Sequence, residues 1–171
     1  MKNLIYVVLA VLMFASCQQS QKIAYVDNSK LINDYQEKIE VEAVLKSKIA
    51  VYEKRRDSLT RAFQLEVQEA EIKAKQMSQA NLQKLQQEFQ QKDQALGQRL
   101  QFEQQQIAQE SQAQNDSLIK KVKAFVKDYG KTNGYSFILG SNEAGSVMFG
   151  KEDADLTQVI LDALNANYKK N

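Results

Sequence analysis

Proline is absent from this 171-residue chain, as are histidine and tryptophan, and there is one cysteine. The six glycines are Gly97, Gly130, Gly134, Gly140, Gly145 and Gly150, so residues 35–129 hold a single strong helix breaker. Compact domains turn back on themselves often, and turns draw on Gly and Pro for backbone angles that other residues resist. A Pro-free stretch with one Gly over about 95 residues is therefore long helix or disorder. The missing histidine removes the usual imidazole metal ligand and the general base poised at neutral pH. Lys and Arg number 23 against 21 Asp and Glu, a net charge of +2 that gives no bulk attraction for nucleic acid. No pair of acids sits in surroundings apolar enough to retune a carboxyl for catalysis. The expectation is a protein that is not an enzyme and uses no cofactor, no metal and no nucleic acid.

The lone cysteine cannot form an internal disulfide, but its position is informative. Lys2 precedes an apolar run from Leu4 to Phe14, too short to span a bilayer and suited to the core of a signal peptide. Phe14-Ala15-Ser16-Cys17 then resembles a bacterial lipobox, although Phe14 stands where Leu is usual. The resemblance implies that the Cys17 thiol is diacylated and that Cys17 becomes the new N-terminus after cleavage, with residues 1–17 as the signal ending at that cysteine and 18–21 as a tether. Several acyl chains on one residue would hold the protein stably on a membrane. Gln18 after the cysteine, by resemblance to lipoprotein sorting in double-membraned bacteria, favours the outer membrane. An ordinary secretory signal cut near Ala15-Ser16 is the alternative.

Two apolar seams run through the Pro-free stretch. The first passes through Leu45, Ile49, Tyr52, Leu59, Phe63, Ala70 and Met77 in steps of four and three, with Arg56, Glu66 and Lys73 at skipped positions. The second passes through Leu82, Leu85, Phe89, Leu96, Leu100, Ile107, Leu118, Val122, Phe125 and Tyr129, with a mean step nearer 3.6 than 3.5, so any supercoil is weak. Gln-rich composition alone would fit a disordered tract, but Gln, Ala, Leu, Lys and Glu are good helix formers. Two seams of similar length cover each other in an antiparallel hairpin, residues 35–129, with its tip near 78–82 at Ser78-Gln79-Ala80-Asn81. Gly97 in the return arm marks a flexible point or is tolerated.

The flanking segments, 22–34 and 130–171, read as a small body. Ile23-Ala24-Tyr25-Val26 is an apolar strand, and Asp27-Asn28-Ser29 supplies caps for a helix that starts at Lys30 and breaks near Asn33-Asp34. Gly130 suits a helix C-cap. Tyr135–Leu139 and Ser146–Phe149 read as two strands of a hairpin, and Asp153–Asp155 cap an amphipathic helix through Leu156, Val159, Ile160, Ala163 and Leu164. About 55 residues make a marginal core, and strands apolar on both faces call for oligomerisation. The residues expected to build that assembly are Ile23, Tyr25, Val26, Phe137, Ile138, Leu139, Val147 and Phe149. The fold class is α+β, mostly α: a helical-hairpin, coiled-coil arm projecting from a small β body.

The order of these elements, from "KIAYVDNSKLINDY" through the Pro-free hairpin to "NGYSFILGSNEAGSVMFGKEDADLTQVILDALN", resembles the Skp/OmpH periplasmic chaperones over residues 22 to about 168. The resemblance implies a homotrimer whose arms surround unfolded outer-membrane proteins without ATP. The best-known members are strongly basic and soluble, and lipopolysaccharide binding is attributed to basic arm residues. This near-neutral, Gln-rich chain offers no residues onto which that binding carries. Seam residues read first as packing between the two helices, so client-contacting residues stay unassigned. Lys54-Arg55-Arg56, flanked by Glu53 and Asp57, reads as a solvated face with local pairs. Lys120, Lys121, Lys123 and Lys127 form a basic stripe near the body, suited to client acids, anionic headgroups or the C-terminal end of a helix dipole. The competing function is a structural or adaptor coiled-coil lipoprotein of the cell envelope.

Overall fold

The computed structural model describes residues 21–142 and 145–169. Elements follow in the order β1 (Ile23–Asp27), α1 (Asn28–Asn33), α2 (Gln36–Ala74), α3 (Gln79–Thr132), β2 (Phe137–Ser141), a short 3-10 turn (Glu152–Ala154) and α4 (Thr157–Tyr168). Cys17 and the segment around it lie outside the described residues.

Asp27 ends β1 and starts α1, its Oδ1 accepting from the backbone N–H groups of Ser29 and Lys30. The chain then bends at Asp34 and Tyr35. Tyr35 is extended and buried, and the N–H of Gln36, left over at the start of α2, donates to Asn165 Oδ1 of α4 at 2.8 Å. A residue 129 positions away thus caps the first arm. With 39 and 54 residues, α2 and α3 are about 58 Å and 81 Å long at 1.5 Å per residue. The tip turn occupies Lys75–Ser78, slightly earlier than the sequence predicts, because Gln79, Ala80 and Asn81 form the first turn of α3 and Ser78 takes the extended N-cap conformation.

α3 is the longer arm because it starts at the tip and continues past the start of α2 into the body. At the base of the hairpin, level with the first turn of α2, Leu118 and Val122 join Ala24, Val26, Leu31, Tyr35, Leu156, Ile160, Leu161 and Leu164 in one buried cluster. The helix runs through Gly130, which is buried in it and does not cap it. A Cβ there would lie 3.2 Å from Ile138 Cδ1, so the glycine permits close packing of β2 on the helix. Gly134, at φ +70°, makes the turn out of α3.

β1 and β2 pair in parallel, Ile23 with Phe137 through Asp27 with Ser141, the whole arm forming the crossover that parallel strands require. The expected hairpin between Tyr135–Leu139 and Ser146–Phe149 does not form. The free edge of β1 is taken by residues 155–157: Leu156 N–H donates to Tyr25 O at 2.9 Å and Asp27 N–H to Thr157 Oγ1 at 2.8 Å. Residues 146–149 are an irregular loop, entered through Gly145 at φ +86°.

Candidate functional site

On the arms, the second seam lies as the spacing predicts, every one of its ten residues at least half-buried. The first seam holds through Leu45, Tyr52, Leu59, Phe63 and Ala70 but leaves Ile49 and Met77 exposed; toward the tip it passes through Val67 and Ala74 in place of Glu66, Lys73 and Met77. In a straight α-helix each heptad falls about 20° short of two full turns, so the stripe drifts by one position after several heptads. Phe63 and Phe89 meet across the seam with ring centroids 5.9 Å apart.

Four ion pairs cross between the arms: Glu37–Lys121, Lys48–Glu110, Arg55–Glu103 and Glu66–Lys92. From 37 to 48, 55 and 66 the steps are 11, 7 and 11, and from 121 to 110, 103 and 92 they are the same in reverse. Both steps are close to whole numbers of helical turns, so each set lies on one edge of its helix. Partly exposed pairs of this kind contribute little stability singly, at most about 1 kcal/mol. Their matched order fixes register, since a slip separates every pair at once. Arg55, read from sequence as locally paired, therefore belongs to the opposite arm, while Arg56 does pair locally with Asp57. Tyr52 Oη adds a hydrogen bond to Leu100 O at 3.1 Å. Lys92, held by Glu66 and then Glu88, has its pKa raised.

The sequence reading missed a third stripe. Val44, Val51, Leu65 and Ile72 are 55, 53, 60 and 67% exposed and recur at sevens with Ser58 between them. At about 100° per residue Val44 and Val51 lie roughly a quarter-turn round α2 from Leu45 and Tyr52, on a flank that the other arm leaves exposed. The heptad spacing was available in the sequence, but the hairpin seam had already absorbed the apolar pattern of this helix.

In the body, the sheet has two unlike faces. Ala24, Val26 and Ile138 face the helices; Val26 is in the buried core and Ile138 rests on Gly130. Ile23, Phe137 and Leu139 are on the other face, exposed, with Tyr25 partly covered between them. Gly150 lies against Tyr25, and a Cβ there would fall 2.3 Å from the ring's Cε1. The Tyr25 hydroxyl is pushed above its ordinary pKa, by burial first and then by the charges of Asp155, Glu152 and Asp153, which gather at this edge. Val147 is half-buried in the loop, whereas Met148 and Phe149 project into solvent, 89 and 87% exposed. Of the eight residues expected to build an assembly, three are thus on the open face, two line the protomer's own core, and Tyr25, Val147 and Phe149 belong to the covering loop or lie beneath it.

Near the base of the arms, Glu37 accepts from both Lys121 and the Tyr35 hydroxyl. Burial raises the Glu37 pKa, but these two donors outweigh it and the net shift is downward. Lys123 and Lys127 do not join this network and line a groove between α3 and β2. Among the described residues there is no cluster of three or more metal-ligating side chains, and no helix is long and apolar enough to cross a membrane.

A family model described as outer membrane protein (OmpH-like) matches residues 22–164. No curated protein matches the chain. Among solved structures, the crystal structure of a candidate outer membrane chaperone (OmpH-like) from Caulobacter crescentus is similar, with a TM-score of 0.76 over 88% of each chain at 16% sequence identity. At that identity the likeness is one of fold: the same small body and long helical hairpin. Because the family model spans the body strands, both arms and most of α4, the chain belongs to the OmpH-like family of outer membrane proteins.

Proposed function

We propose that the protein is an ATP-independent holdase of the periplasm that binds unfolded outer-membrane proteins between the arms of a homotrimer. The observation that carries this reading is the exposed stripe of Val44, Val51, Leu65 and Ile72 on the side of α2 that the hairpin leaves open. Apolar side chains spaced by seven and separated by polar residues present no continuous patch, which keeps the arm soluble. Each offers a weak contact to an extended chain, and many weak contacts acting together retain a client that none would hold alone. Membership of the OmpH-like family supports the outer-membrane client class and the periplasmic compartment. The open sheet face of Ile23, Phe137 and Leu139 supports an oligomer built on the body. A lipid on Cys17 would hold the assembly at the outer membrane.

The test is suppression of aggregation when a urea-unfolded β-barrel membrane protein is diluted into buffer with three chains per client. The wild type keeps the client soluble without nucleotide. A variant with Val44, Val51, Leu65 and Ile72 all changed to Ser, of unchanged helicity, retains it several-fold less well. No suppression by the wild type would replace the holdase reading with the adaptor one; full suppression by the variant would move client binding off this stripe.

A further inference from the structure

An open groove of about 480 Å³ runs between the base of α3 and β2. Its floor is apolar, with Val126 and Ile138, and one rim carries Lys123, Lys127 and Lys131, at i, i+4 and i+8 on a single helix face. No residue lining it is acidic, and none of the three lysines forms an ion pair among the described residues. The same chain carries a segment of opposite character. Met148 and Phe149 are the most exposed large apolar side chains of the body, and Glu152 and Asp153, also without ion pairs among the described residues, follow them closely.

Within one protomer the two surfaces do not meet. The groove lies on the helix side of the sheet, where Val26 and Ile138 point. The loop hangs on the other side, held by Gly150 against the ring of Tyr25. We propose that the groove receives the 148–153 segment of a second copy of this chain, Phe149 seated on the apolar floor and Glu152 and Asp153 facing the lysine rim. The inference rests on the proposed homotrimer and specifies how its subunits join. Since knob and groove are different surfaces of one chain, the contact is head-to-tail and closes into a ring when the rotation between subunits allows it. A central aromatic ringed by charge complementarity is also the pattern that concentrates binding energy in an interface.

Sedimentation velocity of the purified protein over a dilution series tests this. The double variant Met148→Ser/Phe149→Ser removes side chains that pack against little in the protomer, so its circular dichroism stays that of wild type while its oligomer dissociates at concentrations at least about tenfold higher. Lys127→Glu weakens the oligomer similarly, and Lys127→Glu combined with Asp153→Lys regains much of the loss. Unchanged oligomers for both Met148→Ser/Phe149→Ser and Lys127→Glu overturn the assignment. So does an intact oligomer that has lost client retention in the Met148→Ser/Phe149→Ser variant, which would make the client the occupant. A wild type that is monomeric at micromolar concentration refutes both the contact and the trimer, while the aggregation assay still decides the holdase reading separately.

Discussion

Gly150 lies so close to the ring of Tyr25 that a Cβ at position 150 would be 2.3 Å from Cε1 and 2.7 Å from Cδ1. Tyr25 is in the strand whose two edges are bonded to β2 and to residues 155–157, so its ring has little freedom to retreat without disturbing both. Gly150→Ala is expected to destabilise the body by about 1–3 kcal/mol, the usual penalty for forcing extra volume into a packed site. Thermal unfolding followed by circular dichroism checks this, and an unchanged midpoint would mean that the loop lifts away freely.

Gly97 is the opposite case. It lies in the interior of α3, exposed, and a Cβ there would meet nothing within 4 Å. Of the two sequence-level readings, tolerated drift has no steric objection. Gly97→Ala is expected to stabilise the arm by about 0.5–1 kcal/mol, the helix-interior difference between the two residues. Urea denaturation of the variant measures it; a loss of stability, or a loss of client retention with stability gained, would instead mark residue 97 as a working flexible point.

The arms were legible in the sequence because long helices repeat their signal: the absence of Pro and the seam from Leu82 to Tyr129 suffice. The body was less so. Ser146-Val147-Met148-Phe149 has the composition of a strand, and local propensity cannot reveal that Leu156 and Thr157 already occupy the edge of β1. Gly130 has the composition of a cap, but its reason is a contact with Ile138 that only the folded chain displays. Parallel pairing of β1 with β2 is likewise a long-range choice, made across the whole arm. The cross-arm ladder was invisible for another reason: each of its charges also has plausible local partners, and register is needed to select among them.

Glu37 provides a pH test. Its folded-state carboxyl is more acidic than in the unfolded chain, where the ordinary value is 4.5, because Lys121 and Tyr35 donate to it despite its burial. A depressed carboxyl contributes stability that is present above the unfolded pKa and is lost as pH falls through the folded one. Glu37→Gln is therefore expected to be less stable than wild type at pH 7 by about 1 kcal/mol, with the gap closing below the ordinary carboxylate range. Urea midpoints at several pH values measure the gap; a difference that persists unchanged into strong acid would assign the loss to packing.

Cys17 tests the proposed anchor. Cys17→Ser is expected to release the mature protein into the soluble periplasm or to stall its processing, because no other cysteine exists to accept the lipid. Fractionation after a salt wash distinguishes the outcomes. A variant still held on membranes would place the attachment elsewhere.

Arm length provides the sharpest test of caging. Deleting residues 61–74 together with 79–92 removes two heptads from each arm, roughly 21 Å of reach, and keeps the turn at 75–78. The deletion takes away the Glu66–Lys92 pair but leaves Glu37–Lys121, Lys48–Glu110 and Arg55–Glu103 to set the register of what remains. Because the body is untouched, the oligomer is expected to persist with the mass of the shortened chain. Retention of large clients should then fall much more than retention of small ones, since a shorter cage encloses less chain and loses the Leu65 and Ile72 contacts. A single seam change such as Phe89→Ala should have a much smaller effect on retention, because its role is packing against Phe63. With a net charge of only +2, salt should alter client dissociation modestly in both proteins, exposed charges being screened beyond about 8 Å at physiological ionic strength. Client dissociation measured at low and high salt for the two variants separates the cases, and undiminished retention of large clients by the shortened protein would exclude the cage and favour an adaptor rod.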